Sequence, residues 1–145
     1  MATITATTVE KLTSAWNTKN PEKILEHFAE DATAQFPQSP QPVKGKAAIK
    51  EYLATQFKAF PDQQIDLEDS VVSGKKAAAN GTWNGTNTGP LPLPTGQTAP
   101  ATNRKVSGDW AAHVVYDNKG KVKSFRLYAD NLATLTQLGL VPPPK

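Results

Sequence analysis

Asp130, Arg126 and His113 are the side chains in this sequence best suited to moving a proton. They fall on or beside two neighbouring apolar-rich runs. Lys105–Tyr116 and Lys121–Ala129 read as strands joined by Asp117-Asn118-Lys119-Gly120, a strong hairpin signal. Strand alternation places Ser124, Arg126, Tyr128 and Asp130 on one face and Phe125, Leu127 and Ala129 on the other. With Asp117 and Gly120 closing the hairpin, the expected register pairs His113 with Ser124 and Ala111 with Arg126, and sets Asp109 opposite Tyr128. One face then carries Asp109, His113, Arg126, Tyr128 and Asp130. The opposite face carries Trp110, Val114, Tyr116, Phe125 and Leu127. A one-residue slip would reverse the pairing.

A carboxylate at a pocket wall can remove a proton α to a carbonyl and return it to the developing alkoxide. Arg126 or His113 could stabilise the enolate oxygen, and Tyr128 could hold the substrate. Burial would have to raise the Asp130 pKa for efficient base action near neutral pH. The same residues have plainer readings. A polar strand face usually points to solvent, with the apolar face on the helices. Asp130 precedes a helix and can cap it, although Asn131 could take the cap instead. Arg126 could pair with Asp109 or Asp130 on the surface. His113 could be a satisfied sheet histidine. Periodicity leaves these alternatives open.

Other chemistries are excluded by what is missing. The chain has no cysteine, so disulfide and thiolate chemistry are ruled out. Its two histidines, His27 and His113, make no metal-ligand spacing. No phosphate loop, nucleophile elbow or GxGxxG occurs, so no cofactor is expected. The net charge of +3 comes from scattered lysines without interleaved aromatics, so no nucleic-acid partner is expected. No run approaches ~20 apolar residues, so no membrane partner is expected. Met1 to Glu10 lacks a basic and apolar leader pattern, and the expected location is cytoplasmic. Two Asn-Gly-Thr triplets, at Asn80 and Asn84, are taken as chance matches to the glycosylation pattern.

The elements that must position these residues follow from periodicity. At 145 residues the chain fits one domain, 1–145. Thr7 to Glu10 reads as a capping box leading into a helix with Val9, Leu12 and Trp16 on one face. Asn20-Pro21 starts a second helix with Ile24, Leu25 and Phe28 as its stripe. Ala32 to Phe36 could be a short strand. Gly45 precedes a third helix bearing Ile49, Leu53, Phe57 and Phe60. The period then changes to strands at Gln64–Val72 and Ala77–Asn87, with Gly81 and Gly85 marking a bend. Gly89 to Pro100 reads as a stiff Pro-rich connector, and Leu132 to Leu138 as a last helix closed by Gly139. Helices first and an antiparallel meander after them predict an α+β fold with helices packed on one face of a curved sheet.

Several stretches resemble the SnoaL-like polyketide cyclase family of the NTF2-like superfamily. They are Gly85-Thr86-Asn87-Thr88-Gly89-Pro90, Pro94-Thr95-Gly96-Gln97, Asn118-Lys119-Gly120-Lys121-Val122, and Tyr128-Ala129-Asp130 leading into Gln137-Leu138-Gly139. Trp16-Asn17, Leu25 with Phe28-Ala29-Glu30-Asp31-Ala32, and Gly45-Lys46-Ala47-Ala48-Ile49 match the family's helices more loosely. The resemblance implies an NTF2-like, cystatin-like cone enclosing one pocket lined by the last strands, with Asp130 matching the acid/base aspartate. It implies a cofactor-independent aldol-type cyclase or isomerase acting on a small apolar carbonyl compound. Asp130, Arg126 and His113 would do the chemistry, and Tyr128, Asp109 and Trp16 would line the pocket. It also implies a homodimer through an apolar outer face of Trp110, Val114, Tyr116 and Phe125. Epoxide opening by Asp109, Arg126 and Asp130 is a variant. The chain departs from many members at Ser124 and Arg126, where those carry Glu and Trp, and in its Pro-Leu-Pro-Leu-Pro loop. A non-catalytic binding or dimeric interaction domain is the alternative, because the fold hosts many binders.

Overall fold

The computed structural model describes residues 3–39, 41–93 and 95–141. Helix α1 (Ala6–Asn17) is capped two residues earlier than the predicted box at Thr7 to Glu10. Thr5 is its N-cap, and the Thr5 N–H donates to Thr8 Oγ1 at 3.1 Å. Threonine supplies the reciprocal bond that glutamate makes in the usual box. At α2 (Pro21–Leu25) the expected start holds, with Asn20 Oδ1 accepting from Glu22 N–H at 3.0 Å. This helix is only one turn long, so Phe28 opens strand β1 (Phe28–Gln35) instead of extending the helical stripe. After β2 (Val43–Lys44), α3 (Lys46–Ala59) buries Ile49, Leu53 and Phe57.

The remaining elements are β3 (Gln64–Ser73), β4 (Lys76–Thr86), β5 (Leu91–Pro92), β6 (Thr98–Ala99), β7 (Lys105–Tyr116), β8 (Val122–Ala129) and α4 (Asn131–Gln137). Six strands form one sheet in the order β2-β1-β8-β7-β4-β3, and β5 and β6 form a separate small ribbon. Neighbours are antiparallel except β1, which lies parallel to β8. The β3 register shifts between Leu67 and Asp69, facing Gly81. A Cβ at Gly81 would lie 1.7 Å from the Asp66 carbonyl oxygen, so only glycine admits this approach.

Two side-chain amides complete backbone pairing where the sheet stops. Asn17 on α1 donates Nδ2–H to Ile65 O and accepts from Ile65 N–H, both at 2.8 Å. Ile65 lies on β3, the edge strand, and an edge leaves alternate backbone groups free. Gln137 on α4 does the same for Ser107, beyond the end of β8, with bonds of 3.0 and 2.9 Å. These amides tie α1 and α4 to the sheet and fix the walls of the space between.

The Pro-rich segment is packed, not merely a connector. Leu91 is fully buried with Ala59, Phe60, Val106 and Leu138 in a second apolar cluster. Asn87, also fully buried, anchors the segment. Its Nδ2 donates to Ala59 O (3.2 Å) and Gly89 O (2.9 Å). Its Oδ1 accepts from Thr102 N–H (2.9 Å) and Thr102 Oγ1–H (3.0 Å). The Gly85–Pro90 motif is therefore a staple that holds the far end of α3.

Candidate functional site: an apolar cavity inside the cone

A cavity of about 130 Å³ lies between the helices and the inner face of the sheet. That is close in size to cavities that accept a single aromatic ring. Val9, Leu12, Thr13 and Trp16 line it from α1, at the spacing of one helical face. Tyr52, Leu53, Gln56, Phe57 and Phe60 line it from α3 and its end. The sheet contributes Trp83, the inward β7 residues Trp110, Ala112, Val114 and Tyr116, and Phe125, Leu127 and Ala129 of β8. Aromatic contacts fix this wall. Trp16 stacks on Phe125 at 5.4 Å, Phe36 on Tyr52 at 4.2 Å, and Phe60 meets Trp83 edge-on at 5.8 Å.

Among the described residues, the lining carries no Asp, Glu, His, Lys or Arg. Its titratable groups are Tyr52 and Tyr116. Burial raises both, Tyr116 to about 12 and Tyr52 further, so both stay protonated at neutral pH. Three buried side-chain polar atoms, on residues that line the cavity, have no hydrogen-bond partner among the described residues: Gln38 Oε1, Gln56 Nε2 and the Tyr116 hydroxyl. Such atoms are uncommon, since a buried polar group left unpaired costs about 1–3 kcal/mol.

The structure brings only Trp16 of the expected pocket residues to this cavity. Asp109, His113, Arg126 and Tyr128 are exposed and alternate with the inward residues, so they occupy the outer face of the sheet. The face assignment drawn from the resemblance is thereby corrected. Trp110, Val114, Tyr116 and Phe125 form the inner wall, not an outer dimer face. The reason is packing: the helices cover one sheet face, and the larger apolar set is buried beneath them. His113 pairs with Arg126, not with Ser124, a shift of two residues. One step comes from the turn, where Asp117 N–H donates to Lys121 O at 2.8 Å, and the other from the irregularity between Val115 and Tyr116. An even shift keeps every side chain on its face.

Asp130 is exposed and is the N-cap of α4, its Oδ1 accepting from Ala133 N–H at 2.9 Å. Asn131 does not take the cap; it is the first helical residue and lines the cavity. Arg126 pairs with neither Asp109 nor Asp130 among the described residues. No group of three or more acidic or histidine side chains that could hold a metal occurs among the described residues. None of their helices is long and apolar enough to cross a membrane.

Sequence reasoning singled out neither Gln38, Gln56 nor Tyr116 as a site residue. Gln56 was legible one turn after Tyr52 and beside the Leu53–Phe57 stripe, a polar residue on a core-facing helix edge. Tyr116 was legible as a hydroxyl on the buried strand face. Gln38 follows β1 in a Pro-rich loop, and nothing local marks it.

The cone, its helix-lined inner wall and its bare outer sheet face define an α+β fold of the NTF2-like type. The family profile of SnoaL-like polyketide cyclases matches residues 6–138, and the chain belongs to that family. Among solved structures, a protein from Jannaschia sp. CCS1 assigned as a SnoaL-like polyketide cyclase superposes with a TM-score of 0.80. It is 23% identical, over 94% of this chain and 92% of that one. IdmH from Streptomyces antibioticus, assigned as a polyketide cyclase, gives 0.74 at 22% identity over 92% and 97%. A Catenulispora acidiphila protein with a ketosteroid isomerase-like fold, in complex with trimethylamine, gives 0.77 at 17% identity over 95% and 96%. A search of curated proteins found no significant match.

Proposed function

We propose that this protein binds a small, uncharged, largely apolar molecule inside the cone. The observation that carries this reading is the cavity: about 130 Å³, walled by aromatic and aliphatic side chains, with no ionised group among the described residues of its lining. A charged ligand would lose its hydration there and find no counter-charge. A carbonyl compound of one ring fits both the size and the lining. Trp16, Trp83 and Trp110 all line the space, so intrinsic fluorescence reports occupancy. Titration with small aromatic ketones should change the emission saturably. An unchanged spectrum together with no calorimetric heat for any of them would refute the reading.

Acid–base catalysis by Asp130 is the second reading, and one observation favours it. Ala129 and Asn131, on either side of Asp130, both line the cavity. The carboxylate would have to leave Ala133 N–H to reach that space, losing a cap bond worth about 1 kcal/mol. Arg126 and His113 support this chemistry less, because they lie on the far face of the sheet. Asn caps a helix as well as Asp does, so Asp130→Asn isolates the chemical role. Equal turnover of candidate ketones by variant and wild type would remove Asp130 from the mechanism. A homodimer, in either reading, would use the outer face where Val71 (65% exposed) and Tyr128 (52% exposed) lie. A monomer mass at micromolar concentration would refute it.

A further inference from the structure

We infer that Gly108 and Trp83 together set the size of ligand that the cavity accepts, Trp83 as the wall the ligand meets and Gly108 as the seat that holds that wall back. This inference rests on the binding function proposed above and adds what limits the ligand. Trp83 on β4 lies directly across the ladder from Gly108 on β7. Residue 108 belongs to the inner face, because Val106 and Trp110, two residues to either side, are buried and Trp110 lines the cavity. A Cβ on Gly108 would lie 3.1 Å from Trp83 Nε1 and 3.8 Å from Cδ1 and Cε2 of the same ring. Its nearest neighbours are thus atoms of one indole, which rests on bare backbone. Gly108 has no positive φ. Chain conformation therefore does not ask for glycine there; the close approach of the indole does.

The indole is held among other rings. Phe60 meets it edge-on at 5.8 Å. At the next inward position of β7, Trp110 is fixed by its Nε1–H, which donates to Thr82 O at 3.0 Å. Trp83 packs against both the main core and the second apolar cluster. It therefore stands where the cavity ends and the second cluster begins. A strand side chain stands roughly perpendicular to its sheet. A methyl on residue 108 would lift the indole off β7, toward the helices and into the cavity. Truncating Trp83 would do the reverse and extend the space toward the second cluster. At about 130 Å³ the cavity holds one aromatic ring with little to spare. A ring face that shifts by a few tenths of an ångström then decides whether one more carbon fits. Trp83 makes the contact with ligand; Gly108 is a positioning residue that acts through it.

The test measures binding of benzene and of the n-alkylbenzenes from toluene to n-pentylbenzene, by calorimetry at pH 7. It uses wild type, Gly108→Ala, Trp83→Leu and the double variant, each first shown by thermal melting to be folded. While room remains, each added carbon should tighten binding about fourfold, and affinity should fall once the chain no longer fits. The longest probe that still gains affinity should be shorter by about one carbon or more in Gly108→Ala than in wild type. In Trp83→Leu it should be longer by about one carbon or more. In the double variant the new methyl has no indole to push, so its profile should match that of Trp83→Leu within about twofold. One size profile shared by wild type and both single variants would overturn the inference while leaving the binding function intact. So would a Gly108→Ala shift that persists undiminished in the double variant. No binding of any probe by wild type would overturn the binding function and this inference with it.

Discussion

Replacing Asn87 by Ala should unfold this protein at a markedly lower temperature and loosen the end of α3 at Ala59, 28 positions away in sequence. Asn87 is fully buried and its side chain makes four hydrogen bonds. Not all four losses count equally. Ala59 O still accepts from Thr88 N–H at 3.1 Å, and Thr102 Oγ1 still accepts from Arg104 N–H at 3.3 Å. Gly89 O and Thr102 N–H lose the only partner each has among the described residues. Two orphaned backbone groups at about 1–3 kcal/mol each give roughly 3–4 kcal/mol of destabilisation. For a chain of this size that is a fall in Tm of about 10 °C. The Asp variant refines the test. It keeps the acceptor for Thr102 but turns an oxygen toward two carbonyls, so it must be protonated to donate even one bond. Its deficit relative to wild type should therefore shrink as pH falls from 7 to 5. Thermal melts by circular dichroism at both pH values check this. A fall in Tm of less than 3 °C for Asn87→Ala would refute the reasoning that this residue staples the loop to α3.

Other consequences follow from single contacts. Tyr116→Phe removes a buried hydroxyl that has no partner among the described residues, so the protein should gain about 1 kcal/mol, or 2–4 °C in Tm. A loss of stability would show that the hydroxyl has a partner. Asp130→Ala should cost about 1 kcal/mol through the lost cap, and Asp130→Asn less than half of that, read by the same melts. Burial, reinforced by Lys121, holds the His27 pKa below its ordinary 6.5. The unfolded chain then binds the proton more readily, so stability is present above pH 6.5 and is lost as pH falls through the folded value. His27→Gln should flatten the stability profile between pH 7 and 5.5, and an unchanged profile would remove His27 from it.

Much of the fold was written in local signals. The two long strands of the hairpin, the Asn20-Pro21 start and the Gly45 entry to α3 all follow from turn and cap chemistry that acts within a few residues. The alternation on β7 and β8 was also legible, because an even register shift cannot change a face. Which face turned inward was not. That choice depends on where the helices pack, and strand period 2 is blind to it; the weight of Trp110, Val114, Tyr116 and Phe125 against the smaller outer set decided it. Asp130 was legible as either a cap or a pocket group, and its bond to Ala133 places it in the first role in this structure. The polar residues of the lining were hardest to find, since tertiary packing alone brings Gln38, Gln56 and Tyr116 to the same cavity wall.

The central claim is an uncharged-ligand site inside the cone, and a crystal structure of the protein with 3-hydroxyacetophenone tests it most directly. The ring is expected inside the cone, among Trp16, Phe125 and Tyr52. A ring lodged on the outer sheet face beside His113 and Tyr128, with the inner cavity closed over by side chains, would contradict it.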